Sequence, residues 1–163
     1  MDNLVRNTVS IQTKLGTFHA HYSPHGITSL DFPESRNSRA PAAKDKKPPA
    51  FVRTLGRQLK QYAAGKSVRW EVPVDLSSGT DFQQRVWRVL AKIPCGQTRS
   101  YAWVAQKLGK PKAARAVGAA CGANPVPVII PCHRVVASNG ALGGFGGGLP
   151  MKKRLLRIEH TRI

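Results

Sequence analysis

Three short stretches near the start of the chain alternate apolar and polar side chains: Thr8-Val9-Ser10-Ile11-Gln12, Thr17-Phe18-His19-Ala20-His21-Tyr22 and Ile27-Thr28-Ser29-Leu30-Asp31-Phe32. Gly16 and Ser23-Pro24-His25-Gly26 separate them. A period of two between turn residues predicts an antiparallel meander with one face turned to a core. Residues 33–50 hold four prolines, mixed charge and almost no large apolar side chain, so a mobile loop is expected there. Phe51, Val52, Leu55, Leu59 and Tyr62 then recur at helical spacing, and Gly65 is placed to end that helix, which is expected to cover the sheet. Residues 70–76 read as an edge strand or extended connector. Ser77-Ser78-Gly79 breaks the pattern, so the predicted organisation is an α/β N-terminal domain over 1–79 and a second domain over 80–163.

The second half is patterned as helices with sharp punctuation. Thr80 and Gln83 form a Thr-x-x-Gln capping box, and Phe82, Val86, Val89 and Leu90 follow on one helical face, with Trp87 beside it, until Ile93-Pro94. A second helix is predicted from Ser100 through Tyr101, Val104, Ala105 and Leu108 to Gly109. Pro111 opens a third that runs to Ala120, and a three-residue turn between the two makes a helix-turn-helix. In that third helix nearly every side chain other than Lys112, Arg115 and Val117 is Ala or Gly. Such a surface can approach a partner closely, and Arg115 projects among Ala113, Ala114 and Ala116 as the one long side chain. Tight core packing also produces Ala-rich helices, so charge is needed to choose between the two.

The charge is large: 26 Lys and Arg against 8 Asp and Glu in 163 residues, a formal +18. A polyanionic partner is the commonest reason to tolerate such self-repulsion, with nucleic acid ahead of membrane. Residues 1–79 hold 12 basic and 6 acidic side chains, whereas residues 80–163 hold 14 and 2, the two acids being Asp81 and Glu159. Glu159 is then either a surface complement to neighbouring Lys and Arg or a residue with a specific role. No apolar run approaches the roughly 18 residues that span a bilayer, and the opening residues lack a secretion-signal layout. A soluble protein without a membrane partner is expected: cytoplasmic, nucleoid-associated in a prokaryote, nuclear in a eukaryote. Cys95, Cys121 and Cys132 are odd in number and form no Cys-x-x-Cys pair, which predicts free thiols in a reducing compartment. His19 and His21 share a strand face without a nearby Cys, so solvated histidines are expected in place of a metal site.

Cys132 adjoins His133 at the end of the proline-rich, apolar run 124–136. A reactive cysteine needs a stabilised thiolate, and an imidazole base held by a carboxylate would supply one. Cys132, His133 and Glu159 are the available parts, although a Cys among Val and Ile also suits an inert core. The glycine-rich run from Gly140 to Gly148 lets backbone come within reach of a ligand, but it lacks the Gly-Lys-Ser/Thr ending of a phosphate loop.

Taken together, Phe82-Gln83 with Val86-Trp87, Ile93-Pro94-x-Gly96, Ser100-Tyr101, Arg115-Ala116-Val117-Gly118, Asn124-Pro125, Pro131-Cys132-His133-Arg134-Val135, Gly147-Gly148-Leu149 and Leu155-Leu156-x-x-Glu159 resemble the O6-alkylguanine-DNA alkyltransferases, also called methylated-DNA-protein-cysteine methyltransferases. The resemblance covers roughly residues 80–160. It implies a ribonuclease H-like N-terminal domain, an antiparallel sheet plus helix, and a mainly helical C-terminal domain with a winged-helix-like helix-turn-helix.

By the same resemblance, Cys132 is the alkyl acceptor, His133 its base through a water, and Glu159 the residue that orients the imidazole. Tyr101 donates a proton toward the departing guanine and crowds the adjacent phosphate, and Asn124 ties the helix-turn-helix to the Cys132 segment. Arg115 fills the space left by a flipped nucleotide, while Lys112, Ala113, Ala114 and Ala116 lie against the minor groove. The Val135 carbonyl and Gly143, Gly144, Phe145, Gly146 and Gly147 are expected to line the guanine pocket. Phe145 stands where some members carry Tyr. Cys95 and Cys121 match no chemical role.

No cofactor is implied, and the thioether product makes the reaction single-turnover. The implied partner is double-stranded DNA carrying O6-alkylguanine, bound by a monomer; acceptance of O4-alkylthymine and cooperativity along DNA both stay open. Three other readings stand beside it: a non-enzymatic lesion binder, a transcriptional regulator and a cysteine hydrolase. The first lacks the acceptor thiol, the second wants polar base-reading side chains on the third helix, and the third has no need of the basic half.

Overall fold

The computed structural model describes residues 7–35 and 47–162. Of the loop expected over 33–50, positions 36–46 lie outside the described residues, and Ala50 already belongs to a helix. The chain divides into two compact units, Met1–Leu76 and Ser77–Ile163, with the division a few residues before Gly79.

In the first unit, β1 (Asn7–Thr13), β2 (Gly16–Ser23) and β3 (Gly26–Asp31) form an antiparallel sheet in the order β1-β2-β3. The period of two sends Ile11, Phe18, Ala20 and Tyr22 inward, and a register shift between β2 and β3 at His21/Tyr22 brings both Ile27 and Leu30, three residues apart, to the same face. Helix α1 (Ala50–Ala63) packs along β1 and adds Val52, Leu55, Leu59 and Tyr62, all buried on one face. The Tyr22 and Phe51 rings meet edge to face at 6.0 Å. Gly65, at φ +87°, ends the helix while its amide donates to the Tyr62 carbonyl at 2.9 Å. Residues 70–76 are an extended connector more than a strand: the Ile27 amide donates to Pro73 O, its carbonyl accepts from Asp75 N, and Ser23 Oγ donates to Asp75 Oδ2 at 3.0 Å. The sheet-face histidines bond their neighbours, with His21 lying between Thr8 and Asp31 and His19 beside Ser10.

The second unit contains α2 (Asp81–Leu90), β4 (Arg99–Ser100), α3 (Tyr101–Lys107), α4 (Ala114–Gly122), a single 3-10 turn (Cys132–Arg134), β5 (Val135–Val136) and α5 (Leu149–Ile158). The capping box forms, with Gln83 N donating to Thr80 Oγ1 at 3.1 Å and Thr80 N to Gln83 Oε1 at 3.0 Å. Helices α2, α3 and α4 pack on one another through Val86, Trp87, Leu90, Val104, Ala105, Val117 and Ala120. Trp87 is buried, and its indole N–H donates to Ala120 O at 2.8 Å, pinning α2 to α4.

The helix-turn-helix differs from expectation in its turn. Helix α4 begins at Ala114, not Pro111, so six residues, 108–113, join α3 to α4. Gly109 at φ +71° closes α3, a turn closes from Ala113 N to Lys110 O, and positions 111–113 offer no side-chain oxygen to cap an earlier start. Lys112 therefore precedes the helix, and Ala113 is its N-cap.

Candidate active site

Two features carry Cys132 to the start of α3. Strand β5, which directly follows the 3-10 turn, pairs parallel with β4, Arg99 opposite Val135 and Ser100 opposite Val136. Ser100 caps α3 by accepting from Trp103 N at 3.0 Å, which leaves Tyr101 in the first helical turn. Upstream, Asn124 spans the proline-rich run: its Nδ2 donates to Ile130 O at 2.8 Å and its Oδ1 accepts from Val126 N at 3.0 Å. Val128 within that run is buried at φ +73°, an unfavourable conformation for a β-branched residue, held by these flanking bonds.

Cys132 is 7% exposed and opens onto a cavity of about 400 Å³ lined by Tyr101, Gly118, Cys121, Gly122, Cys132, Gly143, Gly144, Phe145 and Gly146. That volume suits a small organic ligand such as a single base. A larger groove of about 660 Å³ in the first unit, between β1 and α1, has no cysteine, histidine or carboxylate among its lining residues, so its Ser10 hydroxyl has no base there to activate it. Chemistry therefore points to the smaller cavity. A Cβ on Gly143 would come within 2.7 Å of Tyr101 Oη, and Gly143 sits at φ +72°, so glycine is demanded there twice over.

Behind the thiol, His133 is fully buried and its Nε2 lies 2.7 Å from Glu159 Oε1. Arg134 grips the same carboxylate with Nε to Oε2 at 2.9 Å and Nη2 to Oε1 at 2.7 Å, and its Nη1 reaches Ile93 O at 2.6 Å. Burial alone would raise the Glu159 carboxyl, but the hydrogen bonds from His133 and Arg134 hold it at about 2. Glu159 is thus a buried carboxylate at neutral pH and not a surface complement. Burial pushes the His133 imidazolium down against the pull of Glu159, so the ring is neutral. A carboxylate only accepts, so Nε2 carries the proton. Nδ1 then holds a lone pair and has no hydrogen-bond partner among the described residues. Burial pushes the Cys132 thiol up, while the Asn124 side chain, the Lys152 charge and the backbone amides of Cys132 and His133 draw it back.

Several positions depart from the predicted site. Val135 and Gly147 do not line the cavity; Val135 is wholly buried and its carbonyl accepts from Lys152 Nζ at 2.8 Å. Cys121, expected to have no part, faces the cavity together with Gly118 and Gly122. Those three fall at i, i+3 and i+4 on α4, a spacing that already puts them on one face. Arg134 and Lys152 escaped sequence reasoning. A signal for Lys152 was present, since it shares the apolar stripe of Met151, Leu155 and Leu156. On α4, Arg115 and Ala116 are exposed, as is Lys112 before it, while Ala113 and Ala114 are half-buried.

The second unit therefore defines a class: a helix-turn-helix whose second helix shares one cavity with a buried thiol, backed by a histidine and a carboxylate. The family model for "6-O-methylguanine DNA methyltransferase, DNA binding domain" matches residues 81–161. A methylated-DNA-protein-cysteine methyltransferase of Methanosarcina barkeri is 38% identical over 153 residues, covering 94% of this chain and 96% of its own. The protein of that name from Mycobacterium bovis is 52% identical over 105 residues, 64% of this chain and 63% of its own, so the match spans less than two thirds of that relative. Among solved structures, a Mycobacterium tuberculosis OGT in complex with DNA superposes with a TM-score of 0.81 at 42% identity, over 94% of this chain and 92% of that one. The chain belongs to the methylated-DNA-protein-cysteine methyltransferase family.

Proposed function

We propose that the protein repairs DNA by direct damage reversal, moving the alkyl group of O6-alkylguanine onto its own Cys132. The observation that carries this reading is the neutral His133, with Nε2 held by Glu159 and the Nδ1 lone pair unclaimed, behind a buried thiol at a base-sized cavity. The target atom is inside the duplex, so the nucleotide is flipped into the cavity at a cost of about a few kcal/mol. Arg115 on the exposed face of α4 fills the gap. Ala116, Ala114, Ala113 and Lys112 allow close approach to the minor groove.

In the cavity, the Cys132 proton passes through a water to His133 Nδ1 and Sγ attacks the alkyl carbon. The S–C bond forms as the C–O6 bond breaks, and the guanine takes a proton from Tyr101 Oη. The imidazolium proton returns to Tyr101 through solvent. Asn124 holds the acceptor segment in place, and Gly143, Gly144, Phe145 and Gly146 bound the base. The net change is thiol plus alkyl ether to thioether plus guanine, with no cofactor in the balance. A thioether offers water no acyl carbon, so each molecule acts once, as a monomer.

Intact-protein mass after incubation with an O6-methylguanine duplex tests this. One methyl group should appear on the unaltered chain and none on Cys132→Ser. Tight binding without any mass gain would instead make the protein a lesion binder. Duplex affinity should also fall with salt at a log-log slope of about 0.9 per phosphate neutralised.

A further inference from the structure

Lys152 is fully buried, and two local preferences oppose it there. Burial of an ammonium is costly unless it is paired. It also sits in the opening turns of α5, where the helix dipole disfavours a cation. Its Nζ donates to Val135 O at 2.8 Å and to Leu142 O, and lies 5.9 Å from the centre of the Phe145 ring. Val135 closes the turn that carries Cys132, while Leu142 and Phe145 flank Gly143 and Gly144 of the cavity lining. One ammonium therefore joins the acceptor segment to the opposite wall. Both contacts are to carbonyls, which accept hydrogen bonds but carry no net charge, and among the described residues no carboxylate forms an ion pair with it.

We propose that Lys152 is a positioning residue of this site, the counter-charge that favours the Cys132 thiolate and the tether that holds the glycine loop over it. Burial draws the Lys152 ammonium down, and the Cys132 and Cys121 thiolates are the charges that pull it back. The same cation lowers Cys132 and Cys121 and opposes protonation of His133. Other ionisable groups around the site are Tyr101 on α3 and the mutually neutralised Arg134 and Glu159. Among the described residues around the site, Lys152 is thus the cation left to compensate a thiolate. The assignment rests on Cys132 being the acceptor, and its test separates the two.

The full chain and its Lys152→Met, Lys152→Gln and Lys152→Arg variants are treated with iodoacetamide across a pH series, and mass mapping reads the rate at Cys132. Methyl transfer from an O6-methylguanine duplex is followed in parallel. Met and Gln should move the half-maximal pH of Cys132 upward by about one unit, a roughly tenfold loss of rate at neutral pH that alkaline pH restores. Arg should keep the midpoint. Gln still donates to a carbonyl, so it decides the matter should Met fail to fold. A rate lowered by one factor at every pH, with the midpoint unmoved, would reduce Lys152 to a structural prop and overturn the proposal. If the midpoint shifts while the unaltered chain takes no methyl from DNA, the repair reading fails, and with it the place of Lys152 in alkyl transfer, while its role as counter-charge to the Cys132 thiolate is kept.

Discussion

The two units bury polar groups in opposite ways. Among the described residues, the first buries only Thr8 and Gln58, both neutral, and Gln58 answers backbone with both ends of its amide, Nε2 to Arg69 O at 2.7 Å and Oε1 from Glu71 N at 3.0 Å. The second buries His133, Arg134, Lys152 and Glu159, four ionisable side chains within reach of one thiol. Neutral amides satisfied by backbone cost a fold little. Buried charges cost several kcal/mol each unless every partner is in place, so their concentration marks where the fold gives up stability for chemistry.

The largest test of that contrast is Arg134→Met. It takes the Arg134 guanidinium away from the buried Glu159 carboxylate, and breaking a buried ion pair in this way costs about 3–5 kcal/mol. Denaturant melts of the full chain should show the loss, together with slower methyl transfer. Leu55→Ala is the counterpart in the first unit. It empties a wholly buried apolar site for about 2–5 kcal/mol, yet should leave the transfer rate per folded molecule unchanged. A slowed transfer in folded Leu55→Ala would break the division of labour.

Acid should separate the units further. His133 is held below its ordinary value of 6.5, so as pH falls through that value the unfolded chain takes a proton that the folded one refuses, and stability is lost. Glu159, at about 2 against an ordinary 4.5, gives stability that is present above 4.5 and drains away as pH falls toward 2. Both act in the same direction and both lie in the second unit. Hydrogen-exchange protection in the full chain should fall there first as pH drops below about 6.5, and Arg134→Met should bring the glutamate step to higher pH. Equal loss in both units would remove the contrast.

A smaller effect, roughly tenfold, is expected for Arg115→Ala on duplex substrate. Free O6-benzylguanine, which needs no flipping, should react within about twofold of the unaltered rate. Equal losses on both would deny Arg115 its place in the flipped-out gap.

Period-two alternation made the meander legible, as helical spacing did α1 and the Thr80–Gln83 box did α2, because each signal lies within one element. The start of α4 was misplaced because Pro111 looks like a first helical residue while the absence of a capping oxygen at 111–113 decides otherwise. At the site, the order Cys132-His133 and the isolation of Glu159 were visible in the chain. That Arg134 shares the carboxylate, or that Gly143 must yield to the Tyr101 hydroxyl, depends on folding residues far apart in sequence onto one another. Lys152 carried a signal in its place on an apolar stripe, but a stripe with one lysine reads as a surface helix until the carbonyls it meets are known.

The smallest expected effect is at Cys121, and it sharpens the comparison within the cavity itself. Two thiols face the same space, and nucleophilicity follows the thiolate, not the position. Burial and the neighbouring Cys132 push Cys121 up to about 12, so at neutral pH only about one molecule in 10⁵ carries that thiolate. Cys132 has what Cys121 lacks among the influences acting on it: the Asn124 side chain and the amides of its own turn, besides the Lys152 charge that both share. Cys121→Ser should therefore leave methyl transfer within about twofold and every methyl on Cys132. A methyl found on Cys121 of the unaltered chain would mean that the partners around Cys132, and not its place in the cavity, had been given too much weight.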